Sequence, residues 1–237
     1  MIINDDIFNF IGKINSGSVD LILTDPPYDI SSESNFHKVS NAANHIMKTK
    51  YSNHSIDFGE WDTGIDFDFL FSEFYRVLRK GGTLIVFYDI WKSNKMKEYG
   101  EKHKFKQLRV GQWIKNNPVP INSKTNYLSN SSEYFFTFTK DKNPTFNSEY
   151  DNATYHFPLC HGKERLDHPT QKPIRLINEL LIKHSNDGDL VFDPFSGTGT
   201  LAESCIINDR KFICVERDEK YYNLSIDRIK QLKIYSI

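Results

Sequence analysis

Apolar runs alternate with helix-period segments along most of this chain. The runs that have the length and composition of buried strands are residues 20–24, 83–88, 107–114, 133–139, 189–193 and 211–216, with a weaker one at 1–4. The segments with apolar residues at helical spacing are 5–14, 66–79, 91–103, 173–185, 198–208 and 218–233. This alternation predicts an α/β fold, a mostly parallel sheet covered by helices.

Two features interrupt the alternation. No helical pattern separates residues 107–114 from 133–139, so these two strands are expected to form an antiparallel hairpin at one edge of the sheet. Residues 31–55 and 116–162 are polar and resist assignment, and long loops in compact domains are often functional. No repeat or clean boundary appears, so residues 1–237 are predicted to form a single domain.

Composition indicates a cytoplasmic protein. The chain has 237 residues, of which 38% are hydrophobic, and no segment approaches the roughly 20 apolar residues that cross a bilayer. The first residues lack the basic and long apolar regions of a signal peptide. Three cysteines without metal-type spacing predict buried free thiols and no metal site: Cys160, Cys205 and Cys214.

The net charge of −1 conceals two regions of opposite sign. Residues 57–73 hold six acids and no Lys or Arg. Residues 92–124 hold nine Lys or Arg against two Glu, a net charge of +7. A polyanion would meet the second region, because local charge sets such attraction, although a solvated helix face explains the same pattern.

The most informative stretch is Asp25-Pro26-Pro27-Tyr28, which closes the apolar run at residues 19–24. The prolines donate no backbone hydrogen bonds and hold the chain extended, so they fix a rigid corner at the end of a strand. A rigid corner with one carboxylate and one flat ring suits a planar, nitrogen-bearing substrate. A plain strand-to-loop turn remains the alternative.

A second stretch, residues 190–200, reads as strand, glycine turn and helix start. Its candidate site residues are Asp193, Phe195, Ser196, Gly197, Thr198 and Gly199. The glycines allow a tight turn and a close approach of a ligand to the backbone. Glu216 ends the next strand, where an acid can accept hydrogen bonds from both hydroxyls of a ribose. The combination predicts an adenosine-type site.

The identity of that adenosine cofactor follows from Asp193. Residues 197–202 satisfy Gly-x-Gly-x-x-Ala, so a nicotinamide dinucleotide and an oxidoreductase have to be considered. A carboxylate in the lead-in would repel a pyrophosphate but could bind the ammonium of a methionine moiety. We therefore favour S-adenosylmethionine.

A third stretch, His168-Pro169-Thr170-Gln171-Lys172-Pro173, precedes a predicted helix. Pro173 suits a first helical turn, so ordinary helix entry would explain the segment. Its polar side chains could equally close over a cofactor from the opposite side.

The three motifs in this order resemble the amino-group DNA methyltransferases, and the catalytic motif ahead of the cofactor loop resembles their β class. Residues 56–62 and 113–118 further resemble small adenine-N6 members found with restriction systems. The resemblance covers nearly the whole chain. It implies a Rossmann-like methyltransferase sheet of seven strands, mostly parallel with one antiparallel strand, helices on both faces and a permuted motif order.

The resemblance also implies roles for the matched positions. Asp25, Pro26, Pro27 and Tyr28 would form the pocket for the target base. The S-adenosylmethionine site would comprise Asp6 (or its neighbour Asp5), Asp25, His168, Thr170, Lys172, Asp193, Phe195, Ser196, Gly197, Thr198, Gly199 and Glu216. Residues 117–165 fall where the family keeps its target-recognition region, which is short here.

Adenine N6 is the expected methyl acceptor. Asp25 and the Pro26 carbonyl can each accept one amino hydrogen bond, which aims the nitrogen lone pair at the methyl group. Tyr28 would stack on a base rotated out of the duplex. Cytosine-N4 enzymes more often begin this tetrapeptide with Ser, so cytosine is the alternative, and no Pro-Cys-Gln supports C5 chemistry. A non-catalytic nucleic-acid-binding module is a more remote alternative.

Double-stranded DNA is therefore the expected partner. The residues predicted to contact it are Tyr28, Lys92, Lys95, Lys115, Asn116 and Lys124. A companion restriction endonuclease is compatible with the resemblance, as are a monomer and a homodimer.

Overall fold

Eight strands form one mixed sheet in the computed structural model, which describes residues 1–27, 65–118 and 128–234. The strands are β1 Ile2–Asn4, β2 Val19–Thr24, β3 Leu78–Phe87, β4 Lys106–Lys115, β5 Ser132–Thr139, β6 Thr154–Phe157, β7 Leu190–Asp193 and β8 Lys211–Glu216. The α-helices are α1 Ile7–Phe10, α2 Phe67–Val77, α3 Ser93–Lys102, α4 Ile174–His184, α5 Thr200–Ile207 and α6 Glu219–Ile234. Short 3₁₀ turns occupy Ile11–Lys13, Ile90–Lys92 and Gly162–Glu164.

The strand order is β1-β8-β7-β2-β3-β5-β4-β6. Only β5 runs against its neighbours, pairing antiparallel with both β3 and β4, while the other pairings are parallel. The predicted α/β class and the single antiparallel strand are confirmed.

Among the residues that the structure describes, the expected count of seven strands is corrected to eight. The additional strand, β6, pairs in parallel with β4, so that Gln112 lies opposite Thr154. The predicted hairpin of β4 and β5 exists, but β6 covers its outer side, and it therefore lies inside the sheet. A free strand edge attracts further pairing, and β6 satisfies that edge.

Helices cover both faces of the sheet. On one face, buried Leu23 and Phe135 pack in a cluster with residues of α4 and α5 such as Leu176 and Leu201. On the other face, the Phe138 ring meets Phe71 of α2 edge-on, with ring centroids 5.3 Å apart. Phe135 and Phe138 both lie in β5, three residues apart, and because side chains alternate along a strand they point to opposite faces.

The carboxyl ends of the parallel strands meet at one edge of this sheet. Asp25 follows β2, Tyr88 follows β3, and Asp193 and Glu216 end β7 and β8. In open α/β sheets, ligands bind outside these ends. We call this side the carboxyl edge.

The described residues other than Pro27, Ile65 and Asp66 belong to one compact unit. The extent of the domain over residues 1–237 stays a prediction. No helix among the described residues is long and apolar enough to span a membrane. Cys160, Cys205 and Cys214 are buried free thiols, as predicted.

Candidate active site

The acidic corner lies next to the glycine loop at the carboxyl edge. Asp25 and Pro26 follow β2, which lies in the middle of the sheet between β7 and β3. The last residue of β2, Thr24, donates a hydrogen bond of 2.8 Å from its hydroxyl to the Asp193 carboxylate at the end of β7. This bond joins the predicted catalytic corner to the predicted cofactor loop.

Hydrogen bonds and positive φ angles fix the glycine loop. The Phe195 amide donates to the Asp193 carboxylate over 3.0 Å. Gly199, with φ of +77°, precedes α5, and a Cβ atom on it would lie 2.8 Å from the Ser225 Cβ. Glu216 closes the loop, because its carboxylate accepts a 2.7 Å hydrogen bond from the Gly197 amide. The loop therefore turns tightly between β7 and α5.

Two carboxyl groups with raised pKa values flank this loop. Burial raises the pKa of Asp193 to about 7, and the negative charges of Asp25 and Glu216 add to the shift. Burial likewise raises the pKa of Glu216. A buried acid beside other acids favours a cation as its neighbour.

The loop also fits an adenosine-type cofactor with a positive charge. The Ser196 hydroxyl is buried and has no hydrogen-bond partner among the residues that the structure describes. An unsatisfied buried hydroxyl is costly, and a bound ligand would remove that cost. The buried carboxyl groups and the unpartnered hydroxyl are therefore compatible with S-adenosylmethionine.

The segment from His168 to Lys172 packs against the loop. The Nε2 atom of His168 lies 3.3 Å from where a Cβ on Gly197 would stand, and its ring meets Tyr221 edge-on. Burial lowers the pKa of His168 to about 4, so the ring is neutral at pH 7. Thr170 is exposed, and its amide donates to the His168 Nδ1 atom over 3.3 Å. Both residues thus stand beside the predicted cofactor site.

Lys172 points to the catalytic corner. Its ammonium forms an ion pair with the Asp25 carboxylate and lies 3.0 Å from the Glu133 carboxylate. Lys115, at the end of β4, lies 2.8 Å from the same Glu133. Burial alone would lower the pKa of Lys172, but Asp25 and Glu133 raise it above its ordinary value. Lys172 therefore remains protonated at neutral pH.

Asp6 lies at the amino end of α1, where its side chain accepts a 2.9 Å hydrogen bond from the Phe8 amide. Its other carboxylate oxygen is 3.4 Å from the Arg217 guanidinium. Because β1 pairs with β8 and places Asn4 opposite Glu216, Asp6 lies beyond the same strand ends as Glu216. Asp6 thus lies on the same side of the sheet as Glu216, and its contact with the cofactor's adenine stays a prediction.

The residues predicted to contact DNA have different surroundings. Lys92 and exposed Lys95 follow β3 at the carboxyl edge, and exposed Asn116 follows β4 there. Lys115 is only 12% exposed and is engaged with Glu133. Tyr28 and Lys124 lie outside the described residues.

Two side chains of the site, Thr24 and Glu133, could not be predicted from the sequence. Thr24 is an ordinary strand residue in sequence, and Glu133 stands at the start of an aromatic-rich strand with no motif around it. Each acts through a partner that is more than 35 positions away along the chain, 169 positions in the case of Thr24 and Asp193. No local signal could have identified either one.

The sheet and its carboxyl-edge site define a Rossmann-like enzyme with a nucleotide-type loop. Residues 19–227 match the family model described as DNA methylase, which comprises N6 and N4 methyltransferases. The match spans most of the sequence, and the chain belongs to this family. The prediction of an amino-group DNA methyltransferase is confirmed.

Individual relatives agree with this assignment. The chain is 27% identical over 257 residues to Type II methyltransferase M.HinfI of Haemophilus influenzae, an alignment covering 98% of this chain and 68% of that protein. Among solved structures, the M1.HpyAVI–SAM complex has a TM-score of 0.68 and 24% identity, covering 96% of this chain and 98% of the other. The cytosine-N4-specific PvuII DNA methyltransferase has a TM-score of 0.72 and 14% identity, and the superposition covers 96% of this chain and 85% of the other. These two structures show the same fold.

Proposed function

We propose that this protein transfers a methyl group from S-adenosylmethionine to the exocyclic N6 of adenine in double-stranded DNA. The observation that carries the proposal is the hydrogen bond from Thr24 to Asp193, which sets the Asp25–Pro26 corner directly beside the glycine loop. A methyl donor held by the loop and an amino group held by the corner would then be neighbours. Proximity of two reactants is a large part of what such an enzyme has to supply.

The corner acts on the amino group. In the proposed complex, the Asp25 carboxylate and the Pro26 carbonyl each accept one amino hydrogen, which turns the nitrogen lone pair toward the methyl group. The same two acceptors stabilise the positive charge that develops on the nitrogen. The sulfur–methyl bond breaks as the nitrogen–methyl bond forms, S-adenosylhomocysteine leaves, and the excess amino proton passes to solvent, since Lys172 is already protonated.

S-adenosylmethionine supplies an electrophilic methyl group when bound. Asp193 would bind the cationic methionine part, and Glu216 would bind the ribose hydroxyls. Asp6 would contact the adenine ring from the start of α1. Phe195, Gly197 and Gly199 would line the path of the cofactor, while His168 and Thr170 would border it from the opposite side.

Adenine is favoured over cytosine because the tetrapeptide begins with Asp25. In cytosine-N4 enzymes the corresponding tetrapeptide more often begins with Ser. Tyr28 would stack on the flipped base. Lys92, Lys95 and Asn116 at the carboxyl edge, together with Lys124, would hold DNA phosphates. Residues 117–165 would supply target recognition, and the proposal includes a companion restriction endonuclease and a location in the cytoplasm.

The direct test is to incubate the purified protein with unmethylated DNA and labelled S-adenosylmethionine, then to digest the DNA to nucleosides and identify the labelled base by mass spectrometry. The expected product is N6-methyldeoxyadenosine. Labelled N4-methyldeoxycytidine would overturn the choice of base, and the absence of label in any nucleoside would overturn the proposed activity.

The roles of the corner are tested by substitution. Asp25→Ala is expected to abolish methyl transfer while S-adenosylmethionine binding, measured by calorimetry, stays within a few-fold. Loss of both methyl transfer and S-adenosylmethionine binding would show that Asp25 acts in cofactor binding or in folding. Tyr28→Ala is expected to slow transfer more than Tyr28→Phe, because phenylalanine retains the stacking surface; equal losses would argue against stacking.

A further inference from the structure

We infer that Lys172 is a positioning residue for methyl transfer, whose ammonium fixes both the place and the negative charge of the Asp25 carboxylate. Glu133 and Lys115 complete the arrangement as a second, balancing ion pair. This inference rests on the proposed function, because it assigns Lys172 to the amino-group side of the reaction. The resemblance implied a place on the cofactor side instead.

The geometry places four charged side chains in a row. The Lys172 ammonium contacts Asp25 and lies 3.0 Å from Glu133, and Glu133 lies 2.8 Å from Lys115. The exposed fractions of the side chains are 6% for Lys172, 23% for Asp25, 22% for Glu133 and 12% for Lys115. The row comes from four separate segments, so only the folded sheet assembles it. Ion pairs this far from solvent hold their geometry and depend strongly on each partner.

The backbone of Lys172 is itself held firmly. The neighbouring Gln171 is buried, and its side chain accepts from the Leu166 amide over 2.9 Å and donates to the Glu164 carbonyl over 2.8 Å. Pro173 follows and leads into α4. The ammonium also lies 5.1 Å from the centre of the Phe87 ring, a favourable cation–π distance. Lys172 therefore presents a fixed charge to Asp25.

A fixed charge is needed because Asp25 lies among other acids. Glu133 is on the far side of Lys172, and the charge of Asp25 acts on Asp193 across the carboxyl edge. Without the Lys172 cation, the negative charge of Glu133 opposes ionisation of Asp25. A protonated Asp25 is a weaker acceptor for an amino hydrogen. Lys172 thus keeps the acceptor both ionised and aimed.

The test is the pH dependence of the single-turnover rate in Lys172→Met, which keeps the chain length and removes the charge. We expect the rate at pH 7 to fall by about 100-fold, the scale of a misplaced catalytic group. We expect the acid limb of the profile to move up by about one pH unit or more. The Kd for S-adenosylmethionine should stay within a few-fold. Lys172→Arg, which keeps the charge, should restore the position of the limb.

Lys183 offers a matched control. It too bridges two carboxylates, Asp151 at 2.6 Å and Glu179 at 2.7 Å, and it lies 4.7 Å from the centre of the Tyr155 ring. This cluster is at the amino end of β6, away from the carboxyl edge. Lys183→Met should lower the melting temperature while leaving the rate and its pH profile unchanged.

Glu133→Gln distinguishes charge from mere packing. It breaks the ion pair between Glu133 and Lys172 but keeps the Lys172 ammonium beside Asp25, so the acid limb should not move up, in contrast to Lys172→Met. If both variants lose rate equally with unshifted limbs, Lys172 is only structural and the inference is overturned. It is also overturned if Lys172→Met weakens cofactor binding with an unchanged single-turnover rate.

These outcomes are separable from those of the proposed function. If the parent enzyme methylates cytosine N4, the choice of base fails, yet the limb shift still tests Lys172, because that base also presents an amino group. If Lys172→Met does not fold, Lys172→Arg and Glu133→Gln decide the question. A limb that moves up in Glu133→Gln, or in Lys172→Arg, overturns the inference.

Discussion

Replacing Asp193 with Asn should stabilise the ligand-free protein at neutral and higher pH. The Asp193 side chain is 7% exposed, and burial raises its pKa from 3.8 to about 7. Between these two values, the folded protein holds a proton that the unfolded chain has released. The stability associated with the protonated carboxyl is therefore complete below about pH 4 and declines as the pH rises to 7.

The size of the effect follows from the shift. One pKa unit corresponds to about 1.4 kcal/mol, so a shift of roughly three units costs the parent protein roughly 4 kcal/mol above pH 7. Asparagine keeps a carbonyl oxygen that can accept from the Thr24 hydroxyl and the Phe195 amide, and it has no charge to desolvate. Asp193→Asn should thus raise the free energy of unfolding by roughly 4 kcal/mol at pH 8, and by close to nothing at pH 4.

The assay is urea unfolding of the ligand-free protein, followed by circular dichroism from pH 4 to pH 8. Asp227→Asn, an acid that is 67% exposed on α6, serves as the control and should change neither stability nor its pH dependence. A stability difference between Asp193→Asn and the parent that is the same at every pH, or a loss at pH 8, would refute the reasoning. The stabilised variant should bind S-adenosylmethionine more weakly, since the loop would no longer offer a carboxylate.

Two further predictions concern the framework of the site. Gly199→Ala should lower the free energy of unfolding by about 2 to 4 kcal/mol, because position 199 has a left-handed φ and an added Cβ would lie 2.8 Å from Ser225. In the control, Gly12→Ala, the added Cβ meets nothing within 4 Å, so the free energy of unfolding should change by less than about 1 kcal/mol. Trp113→Phe should cost about 2 to 3 kcal/mol, because it leaves a gap and removes the 2.8 Å hydrogen bond from the indole to the Phe157 carbonyl. Urea unfolding measures the stability of all three variants. A loss in Gly12→Ala as large as that in Gly199→Ala would contradict the glycine prediction. An unchanged stability of Trp113→Phe would contradict the tryptophan prediction.

The sequence predicted the strands and helices that carry their own periodic signal. The strands at residues 211–216 and 133–139 emerged within one residue of their observed bounds. β6 was missed because it is only four residues long, Thr154–Phe157, within a stretch rich in polar and turn-forming residues. Its pairing with the edge of β4 stabilises it, and that edge exists only in the assembled sheet.

The candidate site divides in the same way. Asp25 and the glycine loop could be recognised because each motif is contiguous in sequence. The ion pair between Lys172 and Asp25 joins positions 147 residues apart, and nothing in the neighbourhood of either residue specifies the other. Glu133 shows the same limit, since its importance comes from two lysines on other segments.

The pairing of β1 with β8 also sets the order in which the protein can become functional during its synthesis. Asn4 lies opposite Glu216, so β1 stays without its partner until the ribosome has added the residues up to Glu216. At about 5 to 20 residues per second, the ribosome needs about 10 to 40 seconds to proceed from Asp25 to Glu216. Throughout that time the proposed catalytic corner exists without the Glu216 carboxylate that closes the glycine loop. A nascent chain that has not yet reached Glu216 is therefore expected to lack methyltransferase activity.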